Sequence, residues 1–141
     1  MITVTGTATV TISGVIDQTS GILGLGTSNA ATASGGVATV SIANGGELNL
    51  NNISGNPGTP SIQAGSQILI SEGGLLSVKG DQVGNLGDYI SAGEIVGVGG
   101  SLQVSFDSDS NLTSVTVIPE PSVVALLTVL SLGLCVSRRR S

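Results

Sequence analysis

The chain has 141 residues, 40% of them apolar, which is enough for one modest core plus a tail. It has 22 Gly, one Tyr, one Phe, no Trp and no His, so the core must come from Val, Ile, Leu and Ala. Before Pro119, eight carboxylates (Asp17, Glu47, Glu72, Asp81, Asp88, Glu94, Asp107, Asp109) face Lys79 alone, a balance that repels phosphate backbones and excludes nucleic-acid binding. Without His there is no imidazole base for a nucleophile and no His ligand for zinc, which removes the commonest hydrolase and zinc chemistries.

The chain opens on a period-two pattern. Ile2, Val4, Ala8, Val10 and Ile12 hold the even positions and Thr3, Thr5, Thr7, Thr9 and Thr11 the odd ones, which predicts a half-buried strand. No basic segment and no apolar run precedes it, so no export signal is read there. Residues 17–34 are rich in Gly, Ser and Ala with weak periodicity, and fit either a rung of small residues or a long loop.

A Gly-Gly-x-Φ-x-Φ unit, with Φ apolar, then recurs. Its copies are Gly35-Gly36-Val37-Ala38-Thr39-Val40, Gly45-Gly46-Glu47-Leu48-Asn49-Leu50, Gly73-Gly74-Leu75-Leu76-Ser77-Val78 and Gly99-Gly100-Ser101-Leu102-Gln103-Val104. Their starts lie 10, 28 and 26 residues apart (45 − 35, 73 − 45, 99 − 73). The last two copies extend upstream, where Ile62-Gln63-Ala64-Gly65 and Ile90-Ser91-Ala92-Gly93 each lead into an apolar stretch. Two short strands per unit with Gly at the corners predict an all-β passenger over 1–118, a short right-handed parallel β-helix or related solenoid. The alternative that the same alternation supports is an antiparallel β-sandwich of hairpins. Asn56-Pro57-Gly58-Thr59-Pro60 reads as a turn-rich excursion between coils. Beyond the last copy, apolar runs at 102–106 and 112–117 flank a polar five-residue loop and predict a hairpin, with Phe106 in register with Leu102 and Val104 and so expected in the core.

The C-terminal segment differs in kind. Residues 123–136 are apolar all round except for Thr128, Ser131 and Gly133, and predict one hydrophobic helix of about 21 Å, short of the roughly 30 Å of a hydrocarbon core. Arg138, Arg139 and Arg140 follow at once, a cluster that halts transfer and anchors that end in the cytoplasm. Cys135 lies within the apolar run and reads as a small apolar side chain. The order Pro119-Glu120-Pro121, apolar helix, terminal arginines resembles the PEP-CTERM sorting signal of bacterial exported proteins, over 118–141. The resemblance implies recognition of Pro119, Glu120 and Pro121 by an exosortase, a membrane-embedded processing enzyme. Residues 123–136 would be the transient membrane segment and Arg138 to Arg140 its stop. It also implies an export signal, from which Met1 is expected to be an internal methionine of a longer protein. Residues 62–118 are in turn similar in composition and layout to the closing repeats of low-complexity β-rich surface proteins.

Candidate chemistry is sparse. Glu47, Glu72 and Glu94 sit beside Gly corners and include a conceivable glycosidase pair, although each also suits a solvated turn. Asp107-Ser108-Asp109-Ser110-Asn111 starts like a calcium loop, with Asp107, Asp109 and Asn111 as ligands, but Leu112 and Ile118 stand where that loop needs Gly and Glu. A polar hairpin turn is the better expectation. The Gly24-Leu25-Gly26 stretch lacks the closing Gly of a nucleotide fingerprint. The sequence therefore points to a non-catalytic structural or adhesive protein of the bacterial surface or extracellular matrix, without cofactor, with an exosortase, the membrane and exopolysaccharide or other surface proteins as partners. The alternative is the C-terminal fragment of a larger β-helix polysaccharide-active enzyme.

Overall fold

A computed structural model describes residues 2–4, 8–18, 23–25, 37–53 and 62–120. The strands are β1 (Ile2–Val4), β2 (Ala8–Ile12), β3 (Val15–Asp17), β4 (Leu23–Leu25), β5 (Ala38–Ile42), β6 (Glu47–Leu50), β7 (Gln67–Ser71) and β8 (Leu75–Lys79). One helix, α1 (Val83–Ser91), precedes β9 (Ile95–Val98), β10 (Gly100–Asp107) and β11 (Leu112–Pro119). The described residues are mostly β, as the composition predicts.

The parallel pairs join each strand to one a repeat away and not to its sequence neighbour; the antiparallel β10–β11 and β8–β11 pairs depart from that rule. A four-stranded sheet runs β2-β5-β7-β9 with every pair parallel. A five-stranded sheet runs β10-β11-β8-β6-β3, in which β3, β6 and β8 are mutually parallel and β11 is antiparallel to both β8 and β10. β1 and β4 form a separate parallel pair. The registers explain the 28-residue period: Val40 lies opposite Ile68 in one sheet and Leu48 opposite Leu76 in the other. A single repeat thus supplies one strand to each sheet.

Alternation within each strand turns one set of residues inward. Val10, Val40, Ile68 and Ile95 form one ladder, and Ile12, Ile42 and Ile70 the next. In the five-stranded sheet Ile16, Leu48, Leu76, Val115 and Val104 share a row. Val10 and Ile16, in the first repeat, stay exposed; the other members of the two sets join in one core that also takes in Leu50, Ile53, Ile62, Val78, Leu86 and Tyr89. Each fully buried Ile or Leu contributes about 2 kcal/mol of burial free energy.

The Gly-Gly corners have a double cause. Gly45 and Gly73 adopt φ of 76° and 75°, a left-handed conformation that a side chain makes costly. Their successors are denied a side chain by proximity: a Cβ on Gly46 would stand 2.2 Å from the Ile12 carbonyl oxygen, and one on Gly74 2.8 Å from that of Ile42. The corners also stack. Gly45 N–H donates to the Gly73 carbonyl and Leu75 N–H to that of Gly46, both at 3.0 Å.

Helix α1 departs from the all-β expectation for 1–118, in which Ile62-Gln63-Ala64-Gly65 and Ile90-Ser91-Ala92-Gly93 are equivalent lead-ins to a strand. The earlier copy is indeed a turn, with Ser66 N–H donating to Gln63 O at 2.8 Å. In the later copy the same letters end a helix in a Schellman motif: Gly93, at φ 74°, donates to Ile90 O, and Glu94 N–H reaches back to Tyr89 O, both at 3.0 Å. Leu86 and Tyr89, fully buried, hold the helix against the core despite its two glycines. At its start, buried Thr113 Oγ1 accepts from Gln82 N–H (2.9 Å) and donates to Gly80 O (2.7 Å), joining β8, α1 and β11. Phe106 also differs from expectation. It shares the inward row of Thr113 but stays 38% exposed, because β10 is the outermost strand of its sheet.

Candidate functional site

The outward face of the five-stranded sheet carries the most developed surface feature. Parallel registry puts Asp17 beside Asn49 and Asn49 beside Ser77, and the antiparallel insertion of β11 adds Ser114 and then Ser105. One polar row therefore crosses all five strands. Its first three members are hydrogen-bonded in one direction: Ser77 Oγ donates to Asn49 Oδ1, and Asn49 Nδ2 donates to Asp17 Oδ1 at 2.6 Å. The Asn49 amide accepts on one side and donates on the other, its donor turned toward the carboxylate, so the row is polarised toward Asp17.

Around this row lies a groove of about 590 Å³. Glu47 and Asn51 line it with Asp17, Leu75 and Leu112 give it apolar patches, and Lys79 its cation. Ser77, although it points outward, is only 4% exposed and forms part of the floor. Gln18 lies at one end; its N–H donates to Asn49 O (2.7 Å), and its buried side-chain amide has no hydrogen-bond partner among the described residues. Carboxylates, amides and hydroxyls beside three leucines make a surface that hydrogen-bonds a polar partner, and they include no nucleophile paired with a base.

The three glutamates singled out in the sequence do not share this groove. Glu47 lines it, Glu72 is exposed in the turn between β7 and β8, and Glu94 is nine-tenths buried at the start of β9, in the other sheet, where its carbonyl accepts from Ile68 N–H. Asp107, Asp109 and Asn111 do come together, as a hairpin turn. Asp107 Oδ2 accepts from the Ser110 hydroxyl (2.7 Å) and Oδ1 from Asp109 N–H (3.0 Å), and Asn111 takes φ 54° to close the loop. Both Asp107 oxygens are thus committed within the turn, and the Ser110 hydroxyl, then the Asp109 N–H, hold its carboxyl below the usual carboxylate range. Among the described residues no group of three potential ligands is placed to hold a metal ion.

Pro119 and Glu120 end the described chain. Pro119 closes β11 opposite Gly100, and both Pro119 and Glu120 are exposed. Pro121, the apolar run 123–136 with Cys135, and Arg138, Arg139 and Arg140 lie outside the described residues. So do the excursion at 56–60 and the first Gly-Gly pair. Among the described residues no helix is long and apolar enough to cross a membrane.

Sequence reading missed the Asp17, Asn49 and Ser77 row because each residue alone is an ordinary outward polar position. The available signal was the 28-residue interval between Asn49 and Ser77, the same interval that sets the apolar ladders. The chain matches no protein-family model, no curated protein and no solved structure.

Proposed function

We propose that the chain is the C-terminal part of an exported bacterial surface or matrix protein, a small parallel β-solenoid with a structural or adhesive role and no catalysis of its own. Its tail, 119–141, directs sorting and processing by an exosortase, with the passenger outside the cytoplasm. The observation that carries the reading is that one 28-residue interval pairs β5 with β7 in one sheet and β6 with β8 in the other, both in parallel, which is the repeat a stack of coils requires. In support, β11 ends with Pro119 and Glu120 in solvent, where an enzyme has access to the start of the motif. The prolines keep that element out of a helix, as a peptide entering a processing cleft must be. The polar groove offers the contact surface for exopolysaccharide or a neighbouring surface protein.

The test is replacement of Pro119, Glu120 and Pro121 by alanine in the native host, followed by fractionation. The expected result is accumulation of an unprocessed membrane-held form; normal processing and release would contradict the sorting role.

A further inference from the structure

One edge of the five-stranded sheet is the short strand β3; the other is strand β10, eight residues from Gly100 to Asp107, and among the described residues β11 is its one hydrogen-bonded neighbour. Sheet edges in monomeric proteins are blunted by Lys, Pro, bulges or short strands. β10 carries none of the first two, is the joint longest strand, and is uncharged up to Asp107. Its inward residues are left incompletely covered: Leu102 and Val104 are half-buried and Phe106 is 38% exposed.

The sequence of this edge is complementary to itself. Antiparallel pairing of two copies about Val104 sets Val104 against its equivalent and Leu102 against Phe106 on the inward side. The same register sets Gln103 against Ser105 and Ser101 against Asp107 on the outward side. Every apolar residue meets an apolar one, every polar residue a polar one, and no like charges oppose. Shifting the register by one residue would place inward side chains opposite outward ones. We propose that β10 is a self-association edge through which two copies form a two-fold dimer, joining their five-stranded sheets into one of ten strands. An isologous pairing of this kind closes on itself and consumes both edges. It covers the exposed Phe106 ring with Leu102 of the second copy, and it does not depend on the sorting role of the tail.

The full chain, purified in a non-ionic detergent that shields 123–136, is examined by sedimentation across concentration. A monomer–dimer equilibrium is expected. The double variant Gln103→Lys/Ser105→Lys, at two exposed positions, puts like charges directly across the pairing and is expected to weaken the dimer at least ten-fold with an unchanged far-ultraviolet spectrum. In a Cys135→Ser background, Val104→Cys is expected to form an intermolecular disulfide on oxidation, since facing antiparallel residues have the required Cα separation, whereas Ser101→Cys is not. A monomer at every concentration, a dimer indifferent to the double change, open-ended aggregation, or equal crosslinking from both positions would overturn the proposal.

Discussion

Replacing Gly46 by alanine is expected to cost far more than replacing its neighbour Gly45, although both belong to one Gly-Gly corner. At Gly45 the φ of 76° is unfavourable to a side chain, but a Cβ there would meet nothing within 4 Å. The penalty is that of one left-handed residue, about 1–2 kcal/mol. At Gly46 the new Cβ would lie 2.2 Å from the Ile12 carbonyl oxygen and 3.1 Å from that of Ala43. Neither atom is the mobile end of a side chain, and the Ile12 oxygen is held by the Ala43 N–H at 2.9 Å. Relief demands a retreat of roughly 1 Å by backbone at a corner bonded to the next repeat, so the cost is about 3 kcal/mol or more, at the upper end for overpacking. Against a total stability of about 5–15 kcal/mol for a domain, that is a large loss. Urea unfolding of both variants measures it, through a midpoint shift with an unchanged slope. Equal losses for the two, or a loss below about 1 kcal/mol at Gly46, would refute the close approach of the stacked corners.

Thr113→Val keeps the shape of a buried side chain but leaves the Gln82 N–H and Gly80 carbonyl without their partner, at an expected cost of about 2–3 kcal/mol; denaturant unfolding measures it, and amide exchange at 82–86 should accelerate. Asn49→Ala breaks the Ser77 to Asp17 chain at its centre on a partly solvated face, so a loss of about 1 kcal/mol is expected, with the core amides of β6 still protected. Leu48→Ala opens a cavity beneath the groove and should cost about 2–5 kcal/mol. Because Asp107 has a lowered folded-state pKa, its support of the hairpin turn is complete above the ordinary carboxylate pKa and is lost as pH falls through the lowered value. Protection of the Asp109 amide, measured against its intrinsic exchange rate at each pH, should therefore fall in acid, and Asp107→Asn should abolish that dependence.

The local alternation and the corners of the fold were legible in the sequence. The even-numbered apolar residues of 8–12 form β2, and the Gly-Gly copies at 45 and 73 mark corners for the two reasons that Gly serves, conformation and space. The hairpin forms around residues 108–111, with each strand running two residues beyond the predicted outer limit, to Gly100 and to Pro119. What stayed hidden was non-local. Nothing in 112–117 tells that β11 inserts between β8 and β10, because either edge of a sheet accepts an apolar-alternating strand. Helix α1 was hidden by propensity: Val-Gly-Asn-Leu-Gly-Asp-Tyr-Ile-Ser contains two glycines, and burial of Leu86 and Tyr89 overrides them. The candidate groove was illegible for the same reason, since Asp17, Asn49, Ser77 and Ser114 become one row only once the registers are set.

The sorting and processing role is tested most directly by the mass of the mature protein isolated from its native host. A C-terminus within or next to Pro119-Glu120-Pro121, with 123–141 absent, is the expected result. A mature chain that still ends at Ser141, with Arg138, Arg139 and Arg140 in place, would contradict it.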